Sequence, residues 1–243
     1  GAVYKVAENI VQDILDDPKS GQNMQRASEW VNSTVKHIIQ DENAFSGLFE
    51  VASLDYNTYT HSVNTAVIGL LFGKYLSLTQ HELDCLGIGL MLHDIGKLSI
   101  PPKVINKSGR VSGSELDTIK KHPKAGLDLL AHRNYIDGLS LKVVIQHHEN
   151  HDGSGYPYGI GGSDIHMFGS ISRIIDVYDA MTTNRSYAKA KRPFAVLVEM
   201  KETMSNCFNE ELLREFVCFL GPKDSRSEIR EEDELYSTAY AVN

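Results

Sequence analysis

The stretch with the most chemistry in it is His93-Asp94-Ile95-Gly96-Lys97, which follows the apolar run Cys85-Leu86-Gly87-Ile88-Gly89-Leu90-Met91-Leu92. A histidine and a carboxylate side by side at the end of a buried helix are costly to hide unless something pairs them. A metal ion is one such partner, and imidazole with carboxylate suits iron, manganese or zinc. A reading without chemistry stands beside it: a capped helix end, with Asp94 bonding backbone, Gly96 as a left-handed terminator and His93 a satisfied core histidine. Further candidates recur along the chain: His61, His122, the pair His147-His148, and Asp176. Each lies at or near a predicted helix end or on an otherwise apolar face. Singly, such a histidine is more often core or surface than ligand. Jointly they exceed the roughly three protein ligands that one catalytic metal uses. Seven candidates, including a carboxylate able to bridge, point to two metals.

The elements that must position these residues read as helices. Val6, Ile10, Val11, Ile14 and Leu15 recur at helical spacing within an amphipathic segment spanning 3–46. That segment is broken at Asp16-Asp17-Pro18-Lys19-Ser20-Gly21, and a second helix runs from Met24 to about Gln40. Helices are also predicted over 60–76, opened by His61, and over 80–93. Ser112 and Glu115 fit a capping box. The helix they start carries His122 and is kinked or broken at Pro123. Another covers 139–149 and ends in His147-His148-Glu149. The glycine-rich stretch 153–162 cannot be regular helix. Further helices cover 169–183, a segment beginning at Pro193, and one capped by Asn209 that runs through Leu220. No segment alternates as a strand would. The reading is all-α: a helical bundle (47–221) behind an N-terminal helical segment (1–46), with a solvated acidic tail (222–243).

Composition bounds the function classes. The chain has 243 residues, is 42% hydrophobic and 23% charged, and carries a net charge of -8. That balance suits an ordinary globular protein and argues against a general surface for polymeric nucleic acid. It leaves room for a local cationic site for a small phosphorylated ligand. Three cysteines without CxxC spacing read as reduced cytoplasmic thiols. No run approaches the ~20 apolar residues of a membrane span, and no signal peptide is visible. Gly1-Ala2 in place of a start methionine suggests a chain cut from a longer one.

Several motifs occur in order: His61, HDIGK at 93–97, KxHPxxG at 120–126, HHExxDGSGYP at 147–157 and RIxDxYDAMTxxRxY at 173–187. Together they resemble the HD-GYP family of cyclic di-GMP phosphodiesterases, within the HD metal-dependent phosphohydrolases, over residues 55 to 206. The resemblance implies an HD-domain helical bundle. It implies one metal held by His61, His93, Asp94 and Asp176, with Asp94 bridging, and a second held by His122, His147 and His148. The metals would be iron or manganese. A hydroxide bridging them would cleave cyclic di-GMP to linear pGpG, with GMP as a further product.

By the same resemblance Lys97 lies beside the scissile phosphate, and Arg185 and Lys189 contact phosphate oxygens. The Gly155-Tyr156-Pro157 loop flanks the pocket, tied to the neighbouring helix by Asp179. Lys97 also reads as a helix-terminal lysine, Arg185 as a surface ion-pair partner, and Tyr156 as loop packing. The chain departs from the family at Asn57, where some members carry a glutamate and bind a third metal, so a dinuclear site is expected. It departs again at Ala188, often a basic position. Expected partners are a cyclic dinucleotide by the resemblance, a second copy of the chain from the apolar stripe of the N-terminal helices and, on the interaction-module alternative, a diguanylate cyclase (GGDEF) on the glycine-rich loop. Alternatives are another dinucleotide such as cyclic GMP-AMP, or a weakly active cyclic-dinucleotide receptor or interaction module.

Overall fold

The computed structural model describes residues 2–40, 58–105, 107, 109–131, 135–184 and 189–221. Asn57, Arg185, Tyr187, Ala188, the stretch 41–46 and the tail 222–243 therefore lie outside the described residues. The described residues form eleven α-helices and no strand, in accord with the all-α expectation.

Two helices are buried nearly all round and form the middle of the bundle. They are α3 (Thr58–Tyr75) and α4 (Gln80–Leu92). Thr79 starts α4 with a capping box, its hydroxyl accepting from Glu82 N–H while the Glu82 carboxylate accepts from Thr79 N–H. On one side lie α1 (Ala2–Asp16) and α2 (Gly21–Gln40), joined by the turn at Pro18. Each turns one apolar face inward: Tyr4, Ala7, Ile10, Val11 and Ile14 from α1, and Met24, Ala27, Trp30, Val31, Val35 and Ile38 from α2. These join one hydrophobic cluster with Leu70, Phe72, Leu86 and Leu90 of the central pair.

The metal-bearing ends come from the other side. After α4 a short 3-10 turn, Ile95–Ser99, leads to α5 (Pro102–Ile105) and α6 (Gly113–Ile119). Ser112 and Glu115 form the expected capping box on α6. The break expected at Pro123 falls just before it: α6 stops at Ile119, and α7 (His122–Leu130) starts afresh with Pro123 in its first turn, where a missing N–H costs nothing. Asp137 caps α8 (Gly138–Gln146), which ends before His147 and so leaves both histidines on the turn beyond it. Next come α9 (Met167–Thr182), α10 (Pro193–Thr203) and α11 (Glu210–Leu220). The last packs Phe216 and Phe219 on Phe72, with ring centroids 5.1 and 5.3 Å away.

Candidate metal centre

The fold brings all seven candidate ligands to one end of the bundle. His61 comes from the first turn of α3, and His93 and Asp94 from the end of α4. His122 opens α7, His147 and His148 follow α8, and Asp176 projects from the middle of α9. They form two donor groups, His61-His93-Asp94 and Asp94-His122-His147-His148, each with ligand atoms within 4.8 Å of one another. Asp94 belongs to both. Its Oδ2 faces Nε2 of His61 at 3.8 Å and of His93 at 3.5 Å, and its Oδ1 faces Nε2 of His122 at 3.3 Å and of His147 at 3.9 Å. Asp176 lies beside the cluster, its Oδ1 3.1 Å from His61 Nε2 and its Oδ2 3.7 Å from His148 Nδ1.

Four of the rings are oriented from behind. Nδ1 of His93 donates to the Leu90 carbonyl (2.6 Å), that of His122 to Ile119 (2.9 Å) and that of His147 to Val144 (2.9 Å). Nδ1 of His61 donates to the Asp179 carboxylate at 2.7 Å. Bonds of this kind fix the tautomer, so each Nε2 presents a lone pair to the interior. Two pairs of these lone pairs confront each other, His61 with His93 at 3.1 Å and His122 with His147 at 3.0 Å. Asp94 Oδ1 is buried with no hydrogen-bond partner. Acceptors facing acceptors are repulsive unless a cation lies among them. Metal–donor distances of about 2.0–2.2 Å separate neighbouring donors by about 3.0–3.6 Å, close to the spacings here. The residues fit divalent cations.

Protonation states agree. Burial holds the imidazoles of His93 and His147 below the usual histidine range, and lowers His148 to about 3 against the opposing pull of Asp176. Burial would raise Asp94, but the Lys97 ammonium and His93 outweigh it and hold the carboxyl well below the usual range. Asp176, 3.1 Å from His61 Nε2 and 3.7 Å from His148 Nδ1, is likewise held well below that range against the pull of burial. Neutral imidazoles and ionised carboxylates are the ligand forms.

The turn after Asp94 presses against the start of α7 because Gly96 has no side chain; a Cβ there would overlap the carbonyl oxygen of His122. Gly96 is therefore a close-approach glycine and not the left-handed terminator: the left-handed glycines are Gly153, Gly159 and Gly162. Lys97, partly exposed, places its ammonium 2.5 Å from Asp94 Oδ2. Tyr156 stacks on His148 with centroids 4.6 Å apart, and the Lys120 ammonium lies 5.6 Å from the Tyr156 ring. Gly155 lets the loop cross its own base, since a Cβ there would overlap backbone atoms of His148, Glu149 and Asn150.

One expectation needs correction. The loop is tied not by Asp179 but by Glu149, whose buried carboxylate accepts from Tyr158 N–H (2.7 Å) and Gly159 N–H (3.1 Å). Asp179 instead faces α3, holding His61 through Oδ2 and accepting from Asn64 Nδ2 through Oδ1 (2.9 Å). Asn64 Oδ1 in turn accepts from the Tyr4 hydroxyl at 2.6 Å. The spacing of Asp176 and Asp179, three residues apart on one helix face, is the signal that pairs them with the same neighbour. Lys189 is exposed, and among the described residues no hydrogen bond or ion pair joins it to the cluster.

A helical bundle closing a buried His-Asp cluster suited to divalent metal defines the class, and comparison places the chain in it. The chain belongs to the HD-domain family, whose model matches residues 9–212. The motifs resembling HD-GYP proteins agree with its relatives. A cyclic di-GMP phosphodiesterase of Pseudomonas aeruginosa is 29% identical over 217 residues, 88% of this chain and 52% of that protein. A 3'3'-cGAMP-specific phosphodiesterase of Vibrio cholerae is 35% identical over 111 residues, 45% of this chain and 21% of that protein. The fold resembles that of an HDG"Y"P protein from Bdellovibrio bacteriovorus, with a TM-score of 0.74 at 17% identity over 88% of this chain and 69% of that one. The chain spans about half the length, or less, of these curated relatives.

Proposed function

We propose that this chain hydrolyses cyclic di-GMP, mainly to linear pGpG, at a centre that holds two divalent cations, iron or manganese. The observation that carries the reading is the shared Asp94 carboxylate, which turns one oxygen to each donor group. His61, His93, Asp94 and Asp176 would hold one cation; Asp94, His122, His147 and His148 would hold the other. When bound, the pair would activate water and neutralise charge on the phosphoryl oxygens. The chain's own groups bind and orient. Lys97 keeps an ammonium at the cluster edge, where it offsets charge developing on a phosphoryl oxygen. Lys120 and Lys124, over the rings of Tyr156 and Tyr158, add positive charge for a substrate with two phosphates. Tyr158, 54% exposed, offers a ring face to a purine. Arg185 remains a proposed phosphate contact.

A second reading keeps the centre and changes the dinucleotide to 3'3'-cGAMP, favoured by the Vibrio relative. Cation ligands do not read bases. Free thiols and a nucleotide messenger as substrate fit a reducing cytoplasm, and no described helix is long and apolar enough to cross a membrane. Val3 and Val6, exposed on α1, support pairing of two chains through the N-terminal helices. Docking of a diguanylate cyclase on the glycine-rich loop stays part of the proposal.

The test is anaerobic turnover of both dinucleotides with Fe²⁺ or Mn²⁺, with metal analysis and product chromatography on the same sample. Two iron or manganese ions per chain and loss of hydrolysis in folded Asp94→Ala and His147→Ala are expected. Undiminished hydrolysis in both variants overturns the site.

A further inference from the structure

A separate set of metal-binding side chains lies at the far end of α4. His81 and Cys85 are one helical turn apart on α4, and Asp137 caps α8 beside them. Their ligand atoms lie within 4.8 Å of one another. His81 Nε2 is 3.7 Å from Cys85 Sγ and 3.6 Å from Asp137 Oδ2. Zinc takes sulfur at about 2.3 Å and nitrogen or oxygen at about 2.0–2.1 Å, so tetrahedral angles separate such donors by about 3.5 and about 3.4 Å. Two edges of one tetrahedral face are thus nearly in place, and the third pair lies within 4.8 Å. The cap uses Asp137 Oδ1, which accepts from Leu139 N–H at 2.8 Å, and leaves Oδ2 turned to His81.

These residues line a cavity of about 480 Å³ that Asp84, Asn32, Tyr135 and Ser140 also line. Asp84 Oδ2 accepts from Asn32 Nδ2, but Asp84 Oδ1 is buried with no hydrogen-bond partner. A buried carboxylate oxygen without a donor carries a desolvation cost that a nearby cation removes. Cys85 is 4% exposed, and burial, with Asp137 and Asp84 adding to it, pushes the thiol up to about 12. Such a thiol is a poor nucleophile. Ligation remains open to it, because a bound dication displaces the thiol proton to solvent.

We propose that His81, Cys85 and Asp137, with solvent completing the coordination, form a zinc-class site that ties the N-terminal ends of α4 and α8. Both helices lead at their other ends to ligands of the main cluster. His81 precedes His93 by twelve residues, about 18 Å along the helix axis. The site is therefore distinct from the main cluster and holds together two of the helices that carry it.

The test is titration of the full chain with Co²⁺. The main cluster contains no cysteine, so thiolate-to-cobalt charge-transfer absorption cannot come from it, and Cys85→Ser separates Cys85 from Cys207 and Cys218. A band saturating at one thiolate-bound cobalt per chain, bleached by zinc, is expected, with affinity rising about tenfold per pH unit because one proton leaves. The band survives in His147→Ala and is lost in Cys85→Ser, in His81→Ala, whose side chain is exposed, and in Asp137→Asn, which keeps an oxygen for the helix cap. No band in the unsubstituted chain, or a band that persists in His81→Ala and Asp137→Asn, overturns the site even if Cys85→Ser fails to fold. Neither result bears on hydrolysis at the main cluster.

Discussion

Replacing Asp179 probes how the metal centre is built, because this residue touches no proposed ligand position except through His61. Its two oxygens serve two close donors, His61 Nδ1–H at 2.7 Å and Asn64 Nδ2–H at 2.9 Å, with the rotatable Thr183 hydroxyl a longer third at 3.3 Å, and it is fully buried. Asp179→Ala orphans both. At about 1–3 kcal/mol for each buried unsatisfied donor, the metal-free protein loses about 2–6 kcal/mol. For a domain of this size that lowers the melting temperature by about 5–20 °C. Asp179→Asn is the finer probe. It keeps the volume but offers one acceptor oxygen and sets an amide N–H₂ against the second donor. His61 then trades an anionic partner for a neutral amide, and metal affinity falls about 10–100-fold, the usual effect of weakening a ligand's outer partner. Chelator competition measures the affinity and a thermal melt of the metal-free protein measures the fold. If Asp179→Asn folds and binds metal within about twofold of the parent, the reasoning that Asp179 sets up His61 is wrong.

Other outcomes follow from the same geometry. Gly96→Ala should push the turn after Asp94 off the start of α7, costing about 1–3 kcal/mol and lowering metal content; melting and elemental analysis read both. Glu149→Gln leaves one loop N–H facing an amide N–H₂, so KM for the dinucleotide should rise about tenfold or more with metal content unchanged. Metal-free protein should lose stability as pH falls below about 6.5. The buried imidazoles of His147 and His148 have folded pKa values below the unfolded value, His148 near about 3, so the unfolded chain binds protons that the folded chain refuses. Denaturant melts from pH 7.5 downward test this, and His148→Asn should flatten the slope.

The convergence of the His-Asp cluster was legible because its residue types are costly to bury and its motifs are contiguous. Boundaries set by local chemistry were legible too: the Ser112–Glu115 box, the Pro193 start and the Asn209 cap act within one turn of the chain. What escaped the sequence depends on tertiary packing. Pro123 could kink a helix or open one, and only the packing of α7 against the turn after Asp94 decides. Gly96 reads as a helix stop until the His122 carbonyl is seen against it. Asp179 reads as the tie of the loop that Glu149 in fact holds, because two buried carboxylates near a loop look alike until their donors are known.

The run from Tyr4 through Asn64 and Asp179 to His61 joins the first turn of α1 to an imidazole of the His-Asp cluster. Each link has a fixed polarity: hydroxyl to amide oxygen, amide nitrogen to carboxylate, ring nitrogen to carboxylate. Withdrawing the tyrosine by a tilt of α1 would release the amide to swivel, and its oxygen would then oppose a carboxylate. The seating of α1 and the orientation of that ring are thus coupled through three hydrogen bonds of fixed direction.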